Sequence, residues 1–426
     1  MTARPSVAAA LAARSGLASM RNVASLIVAV TVFQFAGGLL GVHIPLAARA
    51  EGVSRLGVGV IGAAFALGFM AGAWFSPRLL ARVGHIRVFA AAGAVAAVTA
   101  LTLHAADGLA GWSLLRMVSG AAVACLFSAA ESWMNGAAEM EQRGNVLGFY
   151  QVCTKLALSA GPFLILGMGP LAAEPWMIAS ACFALAILPI CFTSRAQPPP
   201  PKAQPLALGE LFRLAPAAVI ACFGAGLING AVLAFTPLYA ERVLGAGSAA
   251  WFQAAAWGGS ILLQWPAGRI SDVIDRRIVA GVLSGGAACA ALALALMGME
   301  PSPWAAFVLV ALWGAGGLSY YGVAVAHMAD RADAGQIARA TAGLLFVWAL
   351  GTVIGPPLLG GLIELMDRLA AIFWFAAAAN GAVAAVMLLR RAARPAPPVK
   401  GAFLNKTETS VPAAELAYGE RETPPG

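Results

Sequence analysis

Windows of about 20 consecutive apolar residues, each long enough to cross roughly 30 Å of hydrocarbon, recur from residue 22 to residue 390 with only short polar breaks between them. A chain patterned this way leaves no stretch from which a sizeable water-soluble domain could be built. Only 11% of the 426 residues are charged and 60% are hydrophobic, against roughly 25% charged in an ordinary soluble domain. The expected fold class is therefore an all-α membrane protein, and its work is expected to be done inside the bilayer.

Twelve apolar spans are counted, at approximately 22 to 47, 57 to 77, 88 to 106, 110 to 134, 145 to 168, 175 to 193, 215 to 239, 249 to 268, 278 to 299, 304 to 327, 339 to 364 and 369 to 390. The first lacks the compact core and cleavage site of a signal peptide and reads as a retained span. With a cytoplasmic N-terminus, the inward segments carry 21 of the 27 Lys and Arg residues and the outward loops carry 4. Positive charge gathers on the cytoplasmic side, so both termini are placed in the cytoplasm. The two remaining cations, Arg116 and Lys155, fall inside spans.

The Pro-rich stretch TSRAQPPPPKAQPLALGELFRLAP (193 to 216) divides the chain into two sets of six spans. This sets the expected organisation: a cytoplasmic segment 1–21, an N-terminal six-helix bundle 22–193, a linker 194–214, a C-terminal six-helix bundle 215–391 and a disordered cytoplasmic tail 392–426. The linker's end, around Leu208 to Leu214, is amphipathic and is expected to rest on the membrane interface. QRGNVLGFYQVCTKLALSAGP in the fifth span aligns without a gap to QIARATAGLLFVWALGTVIGP in the eleventh, at an offset of 194 residues. Pseudo-symmetric repeats that rock about a central site are the ground plan of alternating-access transport.

The loop GRISDVIDRR (Gly268 to Arg277) resembles the cytoplasmic loop signature of the major facilitator superfamily: a Gly, an Asp four residues later, then paired basics. The resemblance implies a gating role for Gly268, Asp272, Arg276 and Arg277, with Asp272 pairing to a basic group or a helix N-terminus and holding the two bundles in one state. The first-half copy, SPRLLARVGHIRV, has Pro77 and Ala81 where Gly and Asp would stand but keeps Arg82. Asp330, with His327, ends the tenth span and is assigned to the same inner gate. RMVSG (Arg116 to Gly120) resembles an RxxxG element of that family, and Gly351 to Pro356 resembles the GxxxGP element of its exporters. ESWMN (131 to 135), RVGHIR and YYGVAVAHMAD (320 to 330) look like the YcaD-like branch of its bacterial members, which implies the fold and alternating access without naming a cargo.

Buried polar residues carry the chemical reading. Lys155 sits near the middle of its span, and a lysine side chain reaches about 6 Å where the interface is about 15 Å away. It must face protein or water. Gln151, Lys155 and Ser159, spaced by four, make one polar stripe expected to face the central cavity. Arg116 lies roughly 9 Å inside its span. No carboxylate stands at mid-depth in spans one, seven and ten, where Gln34, His43, Asn229, Tyr320 and Tyr321 are found instead. Two buried cations without nearby acids favour an anionic solute. The expected substrate contacts are Lys155, Arg116, Gln151, Gln34, Asn229 and Tyr320. His43 and Glu131 are the candidates for carrying a coupling proton, and Trp257, Trp313 and Trp348 either line the cavity or pack. Six cysteines in apolar stretches, without a CxxC, read as small hydrophobes, so no metal or cofactor is expected. Nor is a nucleic-acid partner expected. The expected function is secondary transport of a small organic anion by a monomer, rather than enzymatic catalysis. The alternatives are a proton-coupled multidrug exporter and a non-transporting membrane sensor or enzyme.

Overall fold

Gly84, at φ +84°, and the prolines at residues 175, 216 and 303 punctuate a chain that is otherwise helix after helix. The computed structural model describes residues 7–137, 143–193, 197 and 206–393. The helices are α1 (Val7–Ala50), α2 (Arg55–Val83), α3 (His85–Leu103), α4 (Gly108–Ala137), α5 (Arg143–Ala160), α6 (Glu174–Leu185), α7 (Leu188–Cys191), α8 (Leu208–Leu214), α9 (Pro216–Val243), α10 (Ser248–Val273), α11 (Arg276–Met297), α12 (Pro303–Gly317), α13 (Tyr320–Ala329), α14 (Ile337–Met366) and α15 (Ala371–Ala393). Pro falls in the first turn of α6, α9 and α12, where a missing N–H costs nothing. The side chains of Ser54 and Asp275 cap α2 and α11 by accepting from the backbone of Gly57 and Arg277.

Each predicted span coincides with a helix, or with a helix and a short second piece: α5 runs into a 3₁₀ turn at Gly161–Ile165, α6 into α7, and α12 into α13. Ten helical stretches among the described residues are long and apolar enough to cross a membrane. Helices α5 and α10 are not in that set, and each carries a polar stripe: Gln151, Lys155 and Ser159 on the one, Gln253, Ser260 and Gln264 on the other. Those two helices pack on each other. Helix α1 extends back to Val7, beyond the predicted start at 22.

Within the first half, α4 packs on α2 and α3, and α1 on α5 and α6; within the second, α14 packs on α9, α11 on α15, and α12 on α10 and α11. The halves meet through α2–α14, α5–α10 and α1–α9. The GxxxGP element is a packing device. A Cβ on Gly355 would stand 2.0 Å from the carbonyl oxygen of Leu227 and one on Gly351 2.3 Å from that of Phe223, so α14 lies directly on α9. Gly161, at the matching place in the first half, lies as close to the Phe35 carbonyl of α1.

Leu262, Leu296, Val282 and Trp304 point outward, the surface expected of helices bathed in lipid. Cys191 and Cys289 share that outer surface, while Cys125 and Cys222 are buried as expected. The amphipathic end of the linker is α8; its Leu211 is buried, and the N–H of Leu206 just before it donates to the Arg339 carbonyl at 3.0 Å. Most of the linker, the N-terminal six residues and the predicted tail from 394 onward lie outside the described residues.

Candidate functional site

A cavity of about 350 Å³ lies between the halves. Helices α1 to α6 line it from one side, and α9, α10, α14 and Leu318 after α12 from the other. Three of the predicted contact residues reach it: Gln34, Arg116 and Asn229. Trp257 and Trp348 line it too, whereas Trp313 is packed in the core.

Arg116 is placed by its RxxxG sequence. A Cβ on Gly120 would lie 2.1 Å from the Phe65 carbonyl, so α4 and α2 touch at that turn. One turn away, the guanidinium carbon of Arg116 stands 4.1 Å from the centre of the Phe65 ring. Stacking of this kind satisfies the face of the guanidinium and leaves its N–H edge to be matched. Arg116 forms no ion pair among the described residues, and its Nε finds no acceptor. It is also the one charged side chain in the cavity lining.

The hydroxyls nearby are already engaged. Ser119 donates to the Arg116 carbonyl, Thr99 to those of Val95 and Ala96, and Thr352 to those of Trp348 and Gly226. Asn229 is different: it is 3% exposed, and neither its amide nitrogen nor its oxygen has a partner. The indole N–H groups of Trp257 and Trp348 likewise find no acceptor.

Lys155 is not among the lining residues. Its ammonium turns to α10, donating to Ser260 Oγ at 2.7 Å and to Gln264 Oε1. It also lies 5.8 Å from the Trp257 ring centre, behind the cavity wall. Ser260 in turn donates to the carbonyl of Leu318 at 3.5 Å, in the break between α12 and α13. The break follows from GAGGLS (314 to 319), whose glycines let α12 approach α10 and α11 but hold helix poorly. Gln151 and Tyr320 are buried away from the cavity as well.

The loop signature forms one cluster. Arg276 meets Asp330 at 2.7 Å through Nε, Asp272 at 3.2 Å and Ser271 Oγ at 2.9 Å, and Ser271 donates to the Gly268 carbonyl. Arg277 pairs with Asp275 at 2.8 Å and donates to the Arg390 carbonyl. All of these residues belong to the second half. Asp272, near the end of α10, thus pairs with the first residue of the next helix, α11, within the same half. Arg82 is exposed and lies apart.

A further set of polar bonds between the halves, among the described residues, carried no motif. Arg55 at the start of α2 pairs with Asp367 after α14 at 2.6 Å, and the Leu56 N–H donates to Glu364 at 3.0 Å. The signal available was a charged residue at one end of each helix.

His43 is buried edge-on to Trp176, with Nε2 unpartnered. It contributes to a second cavity of about 560 Å³ with Arg49 and Glu241. Two of the three charged residues there are engaged: Arg49 donates to the Val53 carbonyl, and Glu241 caps α10 through the N–H groups of Gly247 and Ala249, while Arg242 lines the cavity beside them. Glu131 is fully buried and accepts from the Tyr150 hydroxyl at 3.2 Å. No cluster of His, Cys, Asp and Glu among the described residues is arranged to hold a metal.

The sequence profile of the Major Facilitator Superfamily matches residues 26–321 and 246–419. The chain belongs to the major facilitator superfamily. It resembles the uncharacterized MFS-type transporter YcaD of Salmonella dublin, with 24% identity over 342 residues that cover 79% of this chain and 87% of that protein. The YcaD protein of Salmonella newport matches over the same shares. Among solved folds, the nucleoside transporter NupG superposes with a TM-score of 0.70 at 13% identity, covering 87% of this chain and 99% of that one. A bacterial homologue of the lysosomal transporter Spinster gives 0.66 at 15% identity, over 96% and 99%. This major facilitator protein is a multi-pass membrane transporter rather than an enzyme, and its fold is that of the superfamily.

Proposed function

We propose that the chain is a twelve-span secondary transporter of a bacterial inner membrane that carries a small organic anion by alternating access. In this reading α5 and α10 also cross the bilayer, their polar stripes turned on each other so that no charge meets lipid, and two six-helix bundles rock about the cavity. The observation that carries the choice of an anion is Arg116: a buried cation on the cavity wall, without a carboxylate partner, in a lining that holds no acid. An unpaired buried cation costs several kcal/mol, and a carboxylate on the solute would offset much of that.

Arg116, Gln34 and Asn229 are proposed as solute contacts. Lys155, tied to Ser260 and Gln264, is proposed to hold the halves together at mid-membrane, and Gln151 and Tyr320 to shape the wall behind. The Asp272, Arg276, Arg277 and Asp330 cluster, with Gly268, braces the cytoplasmic end of the second bundle, with Arg82 opposite. The proposed coupling ion is a proton, and Glu131 and His43 are the titratable groups of the first bundle available to carry it.

A second reading, proton-coupled export of hydrophobic drugs, is favoured by the aromatic lining. The two separate in reconstituted vesicles offered labelled organic anions, cations and neutral drugs. Anion movement that is abolished in Arg116→Gln supports the first. Movement of cations or neutral compounds, unchanged by that substitution, supports the second.

A further inference from the structure

The cavity's unmatched hydrogen-bonding groups are unequal in kind. Four donors await acceptors: the Arg116 Nε–H, the Asn229 amide and the indole N–H groups of Trp257 and Trp348. Asn229 Oδ1 is the one buried orphan acceptor on these lining residues, and the Gln34 amide adds one acceptor and one donor group of its own. An indole nitrogen and a guanidinium can only donate, so this imbalance cannot be reversed by rotating a side chain. Leaving such groups unpaired in a dry site is costly, which makes them a template for whatever fills it.

Their positions divide the ligand. Arg116 stands on the first half, and Asn229, Trp257 and Trp348 stand on the second. Between them the wall is ring-rich, with Phe33, Phe69 and Phe127. The ammonium of Lys155, 5.8 Å from the Trp257 ring centre, adds positive potential behind the second-half wall without entering the cavity. A volume of about 350 Å³ is at the small end of ligand pockets, which run from about 300 to 1,000 Å³. Bulky drugs and lipids are thereby disfavoured, and a single lining cation matches a single negative charge.

We infer that the solute is a small, flat monoanion, carboxylate at the Arg116 end, with an acceptor such as a carbonyl or ring nitrogen, and no amine, at the Trp257 and Trp348 end. This rests on the anion reading above and narrows it. The ligand would bridge the two halves, its charge held by one and its far acceptor by the other.

The test is equilibrium binding to the purified full chain by four benzene derivatives and one aliphatic acid. Para-acetylbenzoate has both proposed features, para-isopropylbenzoate lacks the acceptor at similar size, para-acetylbenzamide lacks the charge, and para-acetylbenzylammonium reverses it. Succinate is the small dianion. Para-acetylbenzoate is expected to bind about tenfold more tightly than para-isopropylbenzoate, the effect of one lost hydrogen bond to a buried donor. That preference should shrink in Trp257→Phe or Trp348→Phe, while Arg116→Gln should remove the preference for the acid over the amide. Equal binding of the acetyl and isopropyl acids by the unaltered protein overturns the inference, and that comparison needs no variant to fold. Binding of succinate alone, dependent on Arg116, overturns it but leaves anion transport standing. Amide or ammonium binding that ignores Arg116→Gln, or no saturable binding by any of the five, overturns both.

Discussion

Lys155 on α5 reaches across the junction between the halves to Ser260 on α10 at 2.7 Å, and through it to the carbonyl that the break after α12 leaves free at Leu318. A charged donor thus heads a short relay in which each hydrogen bond polarises the next. The residues come from three helices, and two of them, α10 and α12, must separate from α5 together if the second half moves as a body.

Replacing Lys155 by Met keeps most of its volume and deletes the charge. Removal of a buried charge together with its desolvation cost is often close to neutral for stability, so little change in melting temperature is expected. The α5–α10 junction, however, loses hydrogen bonds of roughly 1.5–3 kcal/mol for a charged donor, enough to shift a two-state population by about tenfold or more. Spin labels on α5 and α10 should therefore report a larger fraction of long distances. An unchanged distance distribution accompanied by lost anion binding would instead make Lys155 a solute ligand.

The contrast between Lys155 and Arg116 shows where sequence reasoning stops. Both were legible as intramembrane cations, and periodicity placed Lys155, Gln151 and Ser159 on one face. Which neighbour that face meets depends on how two distant helices dock. The cue was present in α10, where Gln253, Ser260 and Gln264 repeat at spacings of seven and four: two polar stripes on otherwise apolar helices can satisfy each other. The apolar helices and the close approach at GxxxGP were readable because they depend on local composition and small side chains. The Arg55–Asp367 pair was not, since neither residue departs from an ordinary loop charge until the helices bring them together.

That pair yields a prediction in salt. Asp367 is 85% exposed, so its attraction to Arg55 is screened over about 3 Å at 1 M salt. Its carboxyl is held below the ordinary range by the hydrogen bond and charge of Arg55. Cysteine labelling at the adjoining end of α14 should accelerate at high salt in the unaltered protein. In Asp367→Asn the rate should already be high and insensitive to salt. Equal salt dependence in both would show that the pair does not hold this end shut.

Asp275 supplies the pH dependence. Burial pushes its carboxyl up, but the hydrogen bonds and charge of Arg277 outweigh burial and leave it below the ordinary carboxylate range. A depressed folded value means the stabilisation is fully present above the unfolded value, about 3.9, and fades as pH falls through the lower folded one. Between pH 5 and 8 the gap in melting temperature between the unaltered protein and Asp275→Asn is therefore expected to stay constant. Below about pH 4 it should close, as the Arg277 and Arg391 contacts to Asp275 lose their charge. A gap that narrows near neutrality would point to a different titrating group.

Two glycines distinguish packing from helix propensity. Gly286 in α11 has open space where a Cβ would stand, whereas a Cβ on Gly355 in α14 would lie 2.0 Å from the Leu227 carbonyl. Alanine at the first position removes only the entropic penalty of glycine in a helix, so Gly286→Ala is expected to stabilise by about 0.5–1 kcal/mol. Alanine at the second must push α14 from α9, since no real side chain sits that near a backbone oxygen, and an overpacking cost of about 1–3 kcal/mol is expected. Thermal unfolding in detergent should move in opposite directions for the two variants. Should Gly355→Ala leave the melting temperature unchanged, the α9–α14 contact would have to be loose enough to slide, and the GxxxGP element would then mark a moving joint instead of a fixed seam.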